Sequence, residues 1–208
     1  MIDHLSPDYP LIMRALATKR DGVDSADLRT PNYRFRHGNR ASLGVWRWMG
    51  VYEHNDFLSG LVLDDTKRGL DFGGALGPLG HDVEICDIND NLGDYPEESF
   101  DYIWTSHTLE HIDDITGTLE ALQRTVKLGG TVIMHLPAWT CERWHAGRFP
   151  TFGHKHTFCL AQDVEKARGC PALIAIDTMV SNYFEVKSAE MCGDNSIFLV
   201  LERKHNER

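Results

Sequence analysis

A chain of 208 residues, 42% hydrophobic and 25% charged, holds enough apolar material for one sizeable core and has neither a disordered nor a fibrous composition. Its net charge of −10 argues against nucleic acid or an anionic membrane as partner, because phosphate binding draws on clustered positive charge. No apolar run near the start reads as a signal segment and none reaches membrane-spanning length; five cysteines with no CxxC pair fit a reduced, cytoplasmic setting.

In chain order, Ser6-Pro7 looks like an N-cap with proline at the first helical position, and residues 7–19 follow with Leu11, Ile12, Ala15 and Leu16 on one face. Residues 20–40 are polar and turn-rich. Residues 41–63 read as one or two helices whose stripe of Val45, Trp46, Met49, Trp48 and Tyr52 is a packing surface. Residues 1–59 are thus expected to form a helical cover over a second unit, residues 60–208.

From Lys67 onward strands alternate with helices. "RGLDF" and "HDVEICD" are short strands that end in acids, and "FDYIWTS" is a third. "DDITGTLEALQRTVK" is helical, with Ile115, Leu119, Leu122 and Val126 on one side and Asp114 as N-cap. "GGTVIMHLP" is a strand, and "AQDVEKARG" a helix closed by glycine. "NYFEVKSAEM" and "NSIFLVLER" are strands joined by "CGD", a hairpin signal. Such alternation predicts an α/β fold: a mostly parallel sheet covered on both faces, with an antiparallel hairpin at its C-terminal edge.

The stretch "LDFGGALGPLG", residues 70–80, carries Asp71 followed by Gly73, Gly74, Gly77 and Gly80. The dinucleotide pattern GxGxxG fails in every register, and no GK[ST] follows, so a phosphate cradle is not supported. A nicotinamide-dependent oxidoreductase is disfavoured by the same failure of GxGxxG. What remains is an acid followed by small residues at alternate positions: Asp71, Gly73, Ala75, Gly77. An acid in such a place also has an ordinary reading as a turn-stabilising carboxylate, and the same holds for Asp87.

This stretch resembles the first motif of the class I S-adenosylmethionine-dependent methyltransferases, and four further segments are similar to that superfamily in the right order. "CDIN" looks like its second motif, "YPEESFDYIWTSHTLEHIDD" like the run into its fourth strand, and "LQRTVKLGGTVIMHLP" like its entry to strand five. The last hairpin matches its reversed pair of strands. The resemblance spans about residues 67 to 201 and is nearest the short "S-H-x-L-E-H" type. It implies a Rossmann-like three-layer sandwich that binds S-adenosyl-L-methionine and methylates a small molecule or saccharide. By the same resemblance Gly73, Gly74, Ala75 and Gly77 lie along the methionine part of the cofactor. Asp71 attracts its ammonium directly or through water, Asp87 accepts the ribose hydroxyls, Ile88 belongs to the cofactor site, Asp90 or Asn91 supplies adenine wall, and Ser106 and His107 border the pocket.

The spacing departs from that pattern. Asp71 and Asp87 stand too close for a strand plus a full crossover of about 10–12 residues or more. Between Asp87 and Asp101 a helix and a strand do not fit. The expected sheet therefore lacks the family's third strand and second helix and has six strands, ordered 2-1-4-5-7-6 by family numbering. Part of the adenine wall goes with the missing segment, so a catalytically inactive methyltransferase-fold protein, acting as scaffold or regulator, is the alternative.

Histidines are numerous, 11 in all. His107 and His111 share a face if "SHTLEH" is helical, and His111 reads as a packing residue. The segment "AWTCERWHAGRFPTFGHKHTFC" holds Cys141, His145, His154, His156 and Cys159, but their spacing matches no standard zinc finger, and no metal site is expected. Its H-x-x-x-F element resembles the loop that closes over the acceptor in similar enzymes, where Trp139, Trp144 and Phe149 either stack on a ring or pack the loop. If the acceptor is a hydroxyl, His107, His154 and His156 are the candidate bases, since imidazole titrates near neutrality.

Overall fold

The computed structural model describes residues 57, 58, 61, 64, 66–73, 83–88, 90–148, 153–193 and 195–204. The expected helices at 7–19 and 41–56, the polar arm between them, and Gly74, Ala75 and Gly77 lie outside these residues.

Six strands form the main sheet: β1 (Gly69–Phe72), β2 (Glu84–Cys86), β3 (Phe100–Ser106), β4 (Val126–Pro137), β7 (Phe184–Met191) and β8 (Ser196–Arg203). Their order is β2-β1-β3-β4-β8-β7. The pairs β1–β2, β1–β3 and β3–β4 are parallel; β4–β8 and β7–β8 are antiparallel. Translated into family numbering this is the order 2-1-4-5-7-6 read from the spacing. Between β2 and β3 the described residues hold only a 3-10 turn, Leu92–Asp94, where the longer fold would place a helix and a strand.

The strands alternate as a sheet buried on both faces requires. Leu70, Phe72, Ile103, Val132 and Met134 pack into one large core with Ile115, Leu119 and Leu122 of helix α1 (Ile115–Thr125). Tyr102, Trp104, Ile133 and Phe198 point the other way and bury Leu58 and Leu61. Helix α1 begins where the sequence placed it: the Asp114 carboxylate accepts from the Gly117 N–H at 2.9 Å, a cap that contributes about 1 kcal/mol. It ends one residue before Val126, which already pairs with Phe100 in β4. The ladder then resumes at Thr131, the intervening residues looping out around Gly129 with φ 70°.

Two expectations need correction. Residues 161–169 are a 3-10 turn (Ala161–Asp163) followed by irregular turns, not a helix. Only Asp163 and Ala167 are buried there, so no apolar stripe offsets the cost of nucleating so short a segment. The segment after β4, read as loop, instead contains a second, two-stranded parallel sheet of β5 (Thr157–Cys159) and β6 (Leu173–Ala175), with a short helix α2 (Ile176–Val180) following. A bridge between Ala138 and Phe158 fastens this small sheet to the carboxyl end of β4.

Candidate active site

The order of the strands reverses between β1 and β3, which makes the carboxyl edge of those strands the place where a parallel α/β sheet leaves a crevice. The register brings the tips level. Phe72 pairs with Cys86 on one side and Thr105 on the other, and Ser106 pairs with His135.

Gly73 leaves β1 with φ 87°, a conformation that favours glycine, and its N–H donates to the Cys86 carbonyl at 2.8 Å. A Cβ at this position would overlap the Thr108 hydroxyl, which donates to the Ser106 carbonyl at 3.0 Å. The absence of a side chain at residue 73 thus lets three strand tips meet. Asp71 is buried within β1, between Ile85 and Trp104, on the opposite face from Leu70 and Phe72.

Asp87 follows β2 directly and is half-buried, as is Ile88. The Asp87 N–H donates to Asp90 Oδ2 at 2.7 Å, and the Asp90 N–H donates to the Asp87 carbonyl at 2.9 Å. Asp90 therefore closes the turn that aims Asp87. Asn91 is similarly engaged, accepting from the Gly93 N–H and donating to Asp94, each at 2.9 Å. Cys86 lies beneath this turn; burial first, then the charges of Asp90 and Asp87, push its thiol up to about 11.

At the tip of β3, Ser106 Oγ is 2.9 Å from His135 Nδ1, and His135 Nε2 is 2.7 Å from Ser196 Oγ. The chain then turns sharply at His107, with φ 49°. Its N–H donates to the His135 carbonyl at 2.9 Å, and its ring meets those of His135 and Trp144 edge-on, at centroid distances of 5.0 and 5.2 Å. Trp144 thereby brings the segment after β4 to the same edge as Ser106 and His107.

The "SHTLEH" stretch is not a helical face. Ser106 ends β3 and only Leu109–His111 form a 3-10 turn. The histidines instead converge on Glu110, a residue the sequence reading passed over. Glu110 is completely buried, and neither carboxylate oxygen has a hydrogen-bond partner among the described residues. His107 Nδ1, His111 Nε2 and His154 Nε2 stand 3.5, 3.8 and 3.9 Å from its Oε1. Burial opposes ionisation of Glu110, but His107 and His111 outweigh it and hold the carboxyl below its ordinary range. Burial likewise lowers the His111 imidazole, against the pull of Glu110. The only hint of this in the sequence is an acid flanked by Leu109 and Ile112, both apolar, in a turn that has to pack inward.

The remaining histidines are fastened to main chain. His154 Nδ1 donates to the Trp144 carbonyl at 2.9 Å, His156 Nε2 to the Ile112 carbonyl at 2.8 Å, and His145 Nε2 to the Trp139 carbonyl at 2.6 Å. A carbonyl only accepts, so each contact fixes where the ring proton sits. Cys159 is buried, which pushes its thiol up to about 11. Phe149 lies outside the described residues. Cys141, His145, His154, His156 and Cys159 do not come together; among the described residues the one group of donors with metal-like spacing is Glu110, His111 and His154.

Residues 65–134 match the family model of a methyltransferase domain. A chain in the complex between the Haloferax volcanii Trm112 methyltransferase activator and a putative methyltransferase is similar in fold. Its TM-score is 0.52 at 13% identity, over 79% of this chain and 93% of that one. A putative type 11 methyltransferase from Sulfolobus solfataricus is 18% identical over 74% of this chain and 93% of that one, with a TM-score of 0.46. A SAM-dependent methyltransferase from Aquifex aeolicus is 10% identical over 80% and 99%, with a TM-score of 0.46. No curated protein matches the chain. The resemblance drawn from the motifs is borne out: the domain has the Rossmann-like fold of the class I methyltransferases, with a mostly parallel sheet and an antiparallel C-terminal pair. Among the described residues no helix is long and apolar enough to cross a membrane.

Proposed function

We propose that the chain is a cytoplasmic S-adenosylmethionine-dependent methyltransferase whose acceptor is a small molecule or a saccharide. The observation that carries this reading is that Gly73, Asp87, Ser106 and His107 stand at the carboxyl tips of β1, β2 and β3, where the strand order reverses, within the segment that matches a methyltransferase domain. The residues fit the cofactor's chemistry. A half-buried carboxylate at the tip of β2, held from behind by Asp90, suits a vicinal diol as a charge-assisted acceptor. Ile88 beside it offers apolar surface to the adenine. The main chain at Gly73, with Gly74, Ala75 and Gly77 after it, takes the methionine part, and Asp71 contributes negative charge toward the ammonium.

When bound, S-adenosylmethionine supplies a methyl group on a sulfonium, which departs as a neutral thioether. The protein's share is then positioning and exclusion of water. Where the acceptor is a hydroxyl, a base has to take its proton. We assign that role to His107, at the strand tips with the buried Glu110 carboxylate behind its Nδ1. His154 and His156, the other candidates, act in this reading as positioning residues through their main-chain bonds. Trp144, edge-on to His107, supports an acceptor with a ring or sugar face to stack.

The second reading, a catalytically silent scaffold, is favoured by one observation: the lone 3-10 turn between β2 and β3, where a longer domain has more wall for the adenine. Release of S-adenosylhomocysteine decides between them. Wild type incubated with donor and a panel of hydroxylated small molecules and saccharides is expected to release it, and His107→Asn to bind donor but release far less. Donor binding without turnover on any acceptor would favour the silent reading.

A further inference from the structure

We propose that Glu110, His111 and His154 form a site for one divalent transition-metal ion, zinc foremost, on the acceptor side of the strand tips. The site shares Glu110 with the methyl-transfer reading, but its metal test does not depend on that reading, and it departs from the expectation that the chain has no metal site.

The argument starts from Glu110. A buried carboxylate whose oxygens have no close hydrogen-bond partner among the described residues is costly unless something of opposite charge is close. Its imidazole neighbours stand farther off than an ideal hydrogen bond. An imidazole N–H satisfying a carboxylate sits about 2.7–2.9 Å away, whereas the three ring nitrogens stand at 3.5, 3.8 and 3.9 Å from the same oxygen. One donor atom each from Glu110, His111 and His154 lie within 4.8 Å of one another. A point equidistant from three atoms so spaced is about 2.2–2.5 Å from each, a slight contraction away from zinc's bonds of about 2.0–2.2 Å to imidazole and carboxylate.

One of the rings is also held as a ligand is. His154 donates its Nδ1 proton to the Trp144 carbonyl, which turns Nε2 toward Glu110. Main-chain carbonyls behind metal-binding imidazoles fix tautomer and orientation in this way. The two rings meet edge-on at 4.8 Å. Two imidazoles and one carboxylate suit zinc and its first-row neighbours better than calcium or magnesium, which prefer oxygen alone. With three protein ligands a fourth position stays open, and His107, 3.5 Å from Glu110 Oε1, borders it. The ion would clamp residues 107–111 to residues 153–156, two segments otherwise joined by main-chain bonds such as Lys155 N–H to the Glu110 carbonyl.

The rival is a purely protonic cluster, with imidazolium compensating Glu110 and no ion. Untagged full-length protein distinguishes the two. It is stripped with chelator, and zinc is added back while metal content and Tm are followed; cobalt(II) is then added and its visible absorption read. The site predicts about one equivalent of zinc, a Tm rise of about 5–10 °C at a hundredfold excess over Kd, and ligand-field bands of a low-coordinate cobalt site. All three should be lost in Glu110→Gln and His154→Asn. Substoichiometric uptake by wild type with a chelator-independent Tm would overturn the proposal, whatever the variants do. So would a folded Glu110→Gln that still holds one equivalent.

Discussion

His135 Nε2 lies 2.7 Å from Ser196 Oγ, inside the antiparallel pair of β4 and β8, while its Nδ1 reaches Ser106 Oγ at 2.9 Å on the parallel side. One buried imidazole therefore ties the tips of three strands, β3, β4 and β8. Trp104 also stacks on it at 6.3 Å with an interplanar angle of 12°.

Replacing that imidazole by an apolar side chain removes both hydroxyl contacts, and the one to Ser196 is fully buried. His135→Leu is expected to cost about 2–4 kcal/mol and Ser196→Ala about 1–2 kcal/mol. Denaturant melts of the two variants and of the double variant should show a coupling above about 0.5 kcal/mol. Additive effects would mean that His135 acts only through packing.

Gly73 tests the geometry of the β1 tip. A side chain there meets a φ of 87° and the Thr108 hydroxyl together. Gly73→Ala is expected to destabilise by about 2–4 kcal/mol, and adding Thr108→Gly, which also removes the Thr108 Cβ 2.8 Å away, to recover the steric part while leaving about 1 kcal/mol of backbone strain. Full recovery in the double variant would refute the strain. For the same reason loss of cofactor binding in a Gly73 variant would not by itself locate the cofactor.

Much of the fold was legible because these strands and α1 announce themselves locally. "FDYIWTS" is β3 from end to end, Asp114 caps α1 as read, and the short span from Asp87 to Asp101 already excluded a strand and a helix. What was hidden depends on distant partners. The small sheet of β5 and β6 pairs Thr157–Cys159 with residues well downstream, and neither strand has enough alternation to be read alone. Glu110 was hidden more deeply, since its neighbours His107 and His111 suggested helical spacing, and its third companion, His154, comes from the far side of β4.

Asp101 links the start of β1 to β3. It accepts from the Arg68 N–H at 2.9 Å and from Lys127 Nζ at 2.8 Å. Burial works to raise its carboxyl, but Lys127 and the Arg68 N–H outweigh it, so the group sits below its ordinary value in the folded state. Its contribution is then complete above the unfolded-state value near pH 4 and is lost as pH falls through the lower folded value. The stability gap between wild type and Asp101→Asn should be flat from pH 8 to about pH 5 and close below about pH 4. A gap that persists to pH 2 would contradict the pairing.

The cysteines offer a check on packing. All five are free thiols; Cys86, Cys159 and Cys192 are buried, and burial raises Cys86 and Cys159 to about 11. Brief iodoacetamide treatment of native protein at pH 8 should modify Cys141 and Cys170 first and leave the other three intact by peptide mass. Rapid modification of Cys86 would mean that the turn from Asp87 to Asp90 opens readily.

The central claim is that the crevice beside Asp87 binds the methyl donor, and calorimetric titration tests it most directly. S-adenosylmethionine and S-adenosylhomocysteine are titrated into wild type and into Asp87→Ala, with circular dichroism confirming that both are folded. The account predicts one site in wild type and at least a tenfold loss of affinity in the variant, the cost of a diol left without its carboxylate. Folded wild type that binds neither ligand at millimolar concentration would contradict it.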